Sequence, residues 1–218
     1  MQAEKSKIVV IIVAHPDDET LWAGGTMLSE PSWNFFIVCL SRKNDPERSA
    51  KFHKALQILN AQGIMGDLDD GPNQLPLDAK VVEETLLKLV PQKHFDLVIT
   101  HDPAGEYTRH LRHEEVSGAV IRLWNNGNLI SDTLWTFAYE DGKKTYYPQP
   151  VQNVSFYRLL SEIIWQRKYR IITETYGFDS ASWEAKTTPK AEAFREFRSP
   201  ADAIIRLDQS ANEVITNQ

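Results

Sequence analysis

Cysteine is nearly absent: among 218 residues only Cys39 is present, inside an apolar segment where it reads as an inert core thiol. That excludes an intramolecular disulfide and any Cys-rich zinc module. Long apolar runs are missing too. The longest, Ile8 to Ala14, is far short of the ~20 residues needed to cross a bilayer. It lacks the small-residue cleavage pattern of a signal peptide, so no membrane span and a cytoplasmic location are expected. There is no basic excess either: 24 Lys and Arg against 30 Asp and Glu leave a net charge of -6, which counts against nucleic-acid binding. No repeat, low-complexity tract or Gly/Ser-rich linker divides the chain. Its length suits one core, and a single domain over 1–218 is expected.

What is present is an alternation of strands and helices. The β-branched run Ile8 to Ala14 reads as a strand buried on both faces, followed by a helix over Glu19 to Ser29. Asn34 to Leu40 is a second buried strand, Pro46 to Leu59 a helix, and Ile64 with Met65 a short strand. A helix over Asp78 to Val90, a strand over Asp96 to Thr100 and a helix over Arg112 to Trp124 follow. Further on, Thr133 to Tyr139 reads as a strand, Val154 to Leu160 as strand or helix, and Ser161 to Thr175 as a helix. Thr188 to Phe197 is expected to be helical, with Pro189 in its first turn, and Ala203 to Leu207 to be a late edge strand. The pattern implies an α/β fold: a Rossmann-like three-layer sandwich on a mostly parallel sheet. Such sheets bind ligands beyond the carboxyl ends of their strands.

The first strand runs into Ala14-His15-Pro16-Asp17-Asp18-Glu19, four ionisable side chains within five residues. This is no dinucleotide turn: Gly24 and Gly25 come too late, and a pyrophosphate would meet three carboxylates. A divalent cation would relieve the crowding. His15 and Asp18 can converge on one ion once Pro16 turns the chain, with Asp17 left beside it. A donor set of imidazole and carboxylate without thiolate suits catalytic zinc, with iron(II) or another divalent cation as alternatives. The blander reading is an acidic first turn that merely favours the helix dipole.

The strand ending at Thr100 leads into His101-Asp-Pro-Ala-Gly-Glu-Tyr-Thr-Arg-His-Leu-Arg-His113. His110 and His113, three apart at a helix start, share one face. A parallel sheet brings both constellations to the same edge. Two ligands from the first turn and one histidine from the second would make a three-ligand site with an open position.

The AHPDDE run together with the later HxxH resembles the PIG-L/LmbE-like family of zinc-dependent de-N-acetylases. The likeness extends over Ile8 to Val120: Arg48 with Ala55 and Leu59 is similar to the family's Arg-led helix, and Asp70-Gly71 to its Asp-Gly turn. The resemblance implies that His15, Asp18 and His113 bind the metal and that Asp17 is the general base. It also implies that His110 assists as acid or oxyanion stabiliser, and that Arg48 and Asp70 contact the sugar. The implied reaction removes acetyl from an N-acetylated, GlcNAc-type sugar conjugate, releasing acetate and a free amine. Three departures stand out. Lys51 and Phe52 occupy positions where the family often has glutamate; Tyr107 lies one residue further from His110 than usual; Gly177-Phe178 replaces Ser-Gln after the late helix.

Other readings remain beside this one: a metal-dependent hydrolase of another amide or ester bond, or a non-catalytic metal- or ligand-binding protein on the same fold. A homo-oligomer is compatible with the sequence. Of the remaining residues, His53 reads as surface, His101 as a group behind the metal ligands or a core residue, and Trp22 as core or sugar-facing. Specificity is expected in loops 101–109 and 140–153, including Tyr146-Tyr147-Pro148, and in the divergent part 140–218.

Overall fold

The computed structural model describes residues 6–216; residues 1–5 and 217–218, the ends of the single domain read over 1–218, lie outside them. The first half alternates as expected: β1 (Ile8–Val13), α1 (Asp18–Ser29), β2 (Asn34–Ser41), α2 (Pro46–Ile58), β3 (Gln62–Leu68), α3 (Ala79–Leu89), β4 (Leu97–Thr100) and α4 (Leu111–Asn125). The second half is more broken: β5 (Leu134–Phe137), β6 (Tyr139–Glu140), β7 (Gln149–Pro150), β8 (Phe156–Leu159), α5 (Glu162–Arg170), α6 (Trp183–Thr187), β9 (Ala191–Phe197) and α7 (Pro200–Thr216).

Seven strands form one sheet in the order β3-β2-β1-β4-β5-β9-β8, and β6 pairs with β7 in a separate ribbon. The pairings from β3 through β5 are parallel, whereas β9 is antiparallel to both its neighbours. Chain order reverses on either side of β1, which places the crevice at the carboxyl ends of β1 and β4. The unbroken apolar run of β1 has a direct cause. Val9, Ile11 and Val13 pack in the layer holding α1, α2 and the α5 region, while Val10 and Ile12 pack in the layer holding α3, α4 and α7. Burying each such side chain contributes about 1.5–3 kcal/mol, so a polar residue on either face would be costly.

Two expectations are overturned. The stretch Thr188 to Phe197 is not a helix: Ala191–Phe197 is strand β9, hydrogen-bonded between β5 and β8. Its Ala-Glu-Ala-Phe-Arg-Glu-Phe sequence favours helix by only a few tenths of a kcal/mol per residue, which a ladder on both edges outweighs. Nor is Ala203 to Leu207 a strand. It lies inside α7, which Pro200 starts and which packs Ala203 and Leu207 against the α3–α4 layer.

Smaller differences follow the same logic. Val154 to Leu160 resolves to strand β8, the strand expected over Thr133 to Tyr139 breaks after Phe137, and the short helix α6 has no counterpart among the expected elements. The long helix from Ser161 widens to a π-helical turn over Ile171–Thr175, where the N–H of Tyr176 reaches back to the carbonyl of Ile171 at 2.9 Å.

Candidate active site

The turn after β1 is strained where the motif is densest. Asp17, the residue before α1, has φ 137°, a conformation that side chains rarely adopt and that costs about 1–3 kcal/mol. Glu19 holds it there. Fully buried, Glu19 accepts the N–H of Asp17 at 3.1 Å through one oxygen, and the hydroxyls of Thr20 (2.5 Å) and Tyr176 (2.7 Å) through the other. The π-helical turn before Tyr176 is what delivers that phenol. The Asp17 carbonyl meanwhile accepts the N–H groups of Thr20 and Leu21 and so begins α1.

Three side chains converge beyond the ends of β1 and β4. His15 Nδ1 lies 3.1 Å from Asp18 Oδ2 and 3.2 Å from His113 Nε2, and His113 Nε2 lies 3.4 Å from Asp18 Oδ2. Three tetrahedral ligands bonded at ~2.0–2.1 Å stand roughly 3.3 Å apart, so this triangle fits a divalent cation. Each residue's remaining polar atom is already occupied. His15 Nε2 is 3.2 Å from Asp70 Oδ1, His113 Nδ1 is 2.6 Å from Glu106 Oε2, and Asp18 Oδ1 accepts Trp22 Nε1–H at 3.1 Å. Those partners place the protons on the outer nitrogens and leave lone pairs facing the shared point. His110 and His101 also stand close enough to join such a cluster.

The hydrogen bonds of His101 use both of its ring nitrogens. Its Nε2 accepts the N–H of Ala14 at 3.0 Å and its Nδ1 faces Glu106 Oε2 at 3.0 Å. Burial opposes charging of this ring, and the Glu106 and Asp18 carboxylates favour it. The Ala14 hydrogen bond nevertheless requires a lone pair on Nε2, and we assign the neutral ring on that geometry. Glu106, fully buried, also accepts the N–H of Asp102, and despite burial the two histidines pull it down to about 2.

The remaining candidates surround a cavity of about 330 Å³, lined among others by Asp17, Arg48, Asp70, Tyr107, His110 and Trp183. Burial, reinforced by Asp18, holds the Asp17 carboxyl well above the usual carboxylate range. Arg48 Nη1 is 3.9 Å from Asp17 Oδ2. Asp45 fixes Arg48 in the first turn of α2 by accepting its N–H and that of Glu47. His110 precedes α4 and stacks on His113 with ring centroids 4.4 Å apart; its buried Nδ1 has no partner among the described residues. Burial and the neighbouring His113 and His15 push its pKa down to about 3. Asp70 accepts from Arg42 (2.6 and 2.9 Å) and Gln74 (2.7 Å) besides facing His15. Trp22 is fully buried, so its contribution is the hydrogen bond to Asp18.

The PIG-L family model, described as GlcNAc-PI de-N-acetylase, matches residues 10–124, more than half of the chain. The chain belongs to the PIG-L family. The match takes in β1 through α4 and every side chain of the triangle. A probable N-acetylglucosaminyl-phosphatidylinositol de-N-acetylase from Dictyostelium discoideum is 29% identical over 135 residues, covering 55% of this PIG-L protein and 50% of that one, so the chain matches half the length of that relative. Among solved structures, N,N'-diacetylchitobiose deacetylase from Pyrococcus horikoshii superposes with a TM-score of 0.64 at 16% identity, covering 89% and 85% of the two chains. The 4-carboxy-2-hydroxymuconate hydratase GalB from Pseudomonas putida gives 0.54 at 17% identity, covering 83% of each chain. At such identities these likenesses establish the shared fold. A lone acid in a polar loop carries no spacing signal, so Glu106 is not legible in the sequence alone. Glu19 was visible within AHPDDE but indistinguishable from a first-turn carboxylate.

Proposed function

We propose that this PIG-L family protein is a metal-dependent hydrolase that removes acetyl from an N-acetylated, GlcNAc-type amino-sugar conjugate. The observation that carries the reading is the triangle of His15 Nδ1, Asp18 Oδ2 and His113 Nε2 with the Asp17 carboxyl beside it. Two imidazoles and one carboxylate suit zinc, and iron(II) is the alternative. A divalent cation held there would polarise an amide carbonyl and make water a competent nucleophile near neutral pH.

The chain's own residues supply the rest. Asp17, at the wall of the cavity beside the triangle, takes the proton from the attacking water and later returns it to the departing amine. His110 enters as a neutral ring with one N–H to offer the developing oxyanion, an interaction whose loss typically costs ~100- to 1,000-fold in rate. Arg48 lies beside Asp17 and faces the cavity, where it can meet sugar hydroxyls. Asp70 keeps His15 oriented and presents its edge to the same cavity. A metal-binding protein without catalysis would need neither the strained Asp17 nor a His110 Nδ1 that has no hydrogen-bond partner among the described residues. Among the described residues no helix is long and apolar enough to cross a membrane.

The test is a panel of N-acetylated glycosides incubated with zinc- or iron-loaded protein, reading acetate and free amine together. Equimolar release supports the reading; none across the panel, with metal bound, overturns it.

A further inference from the structure

Two basic side chains are fully buried among the described residues, Lys168 and Arg112. Lys168 has the Glu192 carboxylate 2.7 Å away. Arg112 is placed differently, in the first turn of α4 between His110 and His113. A buried cation needs partners, and those of Arg112 lie across a loop. Its Nε donates to the carbonyl of Asp69 at 2.6 Å, its Nη2 to the carbonyl of Leu75 at 2.9 Å, and its Nη1 to Glu115 Oε2 at 2.6 Å. The other oxygen of Glu115 accepts the N–H of Leu77 at 2.8 Å. Arg112 and Glu115, three residues apart, share a helix face that His113 does not.

Segment 69–77, between β3 and α3, has no helix or strand of its own. Its three attachments, two carbonyls and one N–H, all lead to one turn of α4. Asp70, Gly71, Pro72 and Gln74 from this segment line the cavity of about 330 Å³ beside the triangle, and Asp70 Oδ1 is 3.2 Å from His15 Nε2. Gln74 braces Asp70 from within the segment at 2.7 Å. Arg42 braces it from outside at 2.6 Å, but the Arg42 side chain is 43% exposed and screened by solvent. One turn of α4 thus presents His113 to the triangle on one face and holds the carboxylate behind His15 with another. Lysine could not replace Arg112 here, because one ammonium lacks the planar fork that reaches two carbonyls and a carboxylate together.

We propose that Arg112 is a positioning residue of the metal site: through the carbonyls of Asp69 and Leu75 it holds Asp70 against His15. It touches neither the triangle's shared point nor a reacting atom, yet both imidazoles of the triangle depend on the same helix turn. In taking the triangle as a metal site, and in nothing else, this rests on the de-N-acetylase reading.

A double-mutant cycle on zinc affinity tests it, read by competition with a chromophoric chelator and with no substrate present. Arg112→Gln weakens zinc binding about tenfold, the low end of the range for groups behind metal ligands. Added to Asp70→Ala, the same substitution costs less than about twofold more, because its route to the metal is already cut. Arg112→Lys behaves like Arg112→Gln. Three results overturn the proposal: no change, or no zinc binding to compare, in the single variant and native protein; a full tenfold loss on the Asp70→Ala background; or native affinity in Arg112→Lys. The last would assign the effect to the charge opposite Glu115. Thermal unfolding accompanies every variant. If Arg112→Gln does not fold, Arg112→Lys runs the same cycle. Failure of both to fold while Asp70→Ala folds makes Arg112 a stability residue and also overturns the proposal. Acetate release from N-acetylated glycosides is read separately: the expected cycle without any release keeps the role of Arg112 and sinks the de-N-acetylase reading.

Discussion

Glu106 Oε2 stands 2.6 Å from His113 Nδ1, and this one contact decides which nitrogen of His113 faces the triangle. Asp70 does the same for His15 from the opposite side, at 3.2 Å from its Nε2. Carboxylates behind metal-binding imidazoles fix the tautomer and raise ligand basicity.

Glu106→Gln is therefore expected to weaken metal binding by about 10- to 100-fold while the chain stays folded. Competition against a chromophoric chelator measures it. An unchanged metal affinity would remove Glu106 from this role.

Asp17 gives two expectations that run in opposite directions. Asp17→Asn should retain the metal and lose about 100- to 10,000-fold in turnover, the range that general acid–base catalysis spans. Asp17→Gly should also lose turnover yet unfold at higher temperature, because glycine tolerates φ 137° and no carboxyl is then buried. Thermal unfolding beside metal content tests the pair, and a lower Tm for the glycine variant would contradict the strain.

Lys168 and Glu192 form a fully buried ion pair at 2.7 Å, and Glu192 also accepts the N–H groups of Gly25 (2.7 Å) and Thr26 (2.6 Å) inside α1. Removing one partner of such a pair costs about 3–5 kcal/mol. Lys168→Met should fall in that range in urea unfolding. Glu192→Ala should cost more, since it also strands two helix N–H groups. Equal effects would mean that those backbone bonds contribute nothing.

Asp141 ties the loop before α4 to the turn after β6, and hydrogen bonds from Thr108 hold its carboxyl below the usual range against the opposing effect of burial. As pH falls, the unfolded chain takes up the proton first, near pH 4. The stabilisation present above that pH is then lost progressively down through the folded pKa. The urea midpoint of the native protein should drop more steeply between pH 5 and pH 3 than that of Asp141→Asn. Parallel curves would refute it.

The parts of the site that could be read from the sequence share one property: they sit in consecutive residues at a strand end. AHPDDE followed an apolar run, and HxxH opened a helix after another, so a parallel sheet had to bring them together. What escaped depends on chain distant in sequence. Glu192 lies 167 residues from Gly25, and it explains why that position, misplaced for a nucleotide turn, is glycine. A Cβ on Gly25 would come within 2.5 Å of Leu160 and 2.9 Å of Glu192 Oε1. The β9 and α7 misreadings have the same origin, local preference overridden by partners that no local window contains.

Strand β9 carries a consequence for how the protein is made. Residues 10–124 bring the whole triangle, yet α1, which bears Asp18, is gripped at its middle by Glu192 and at its first turn through Tyr176. A nascent chain emerging from the ribosome has thus exposed every side chain of the triangle long before it has the two residues that seat them. The boundary of sequence kinship is not a boundary of folding, and a fragment cut at residue 124 would keep the triangle without the frame.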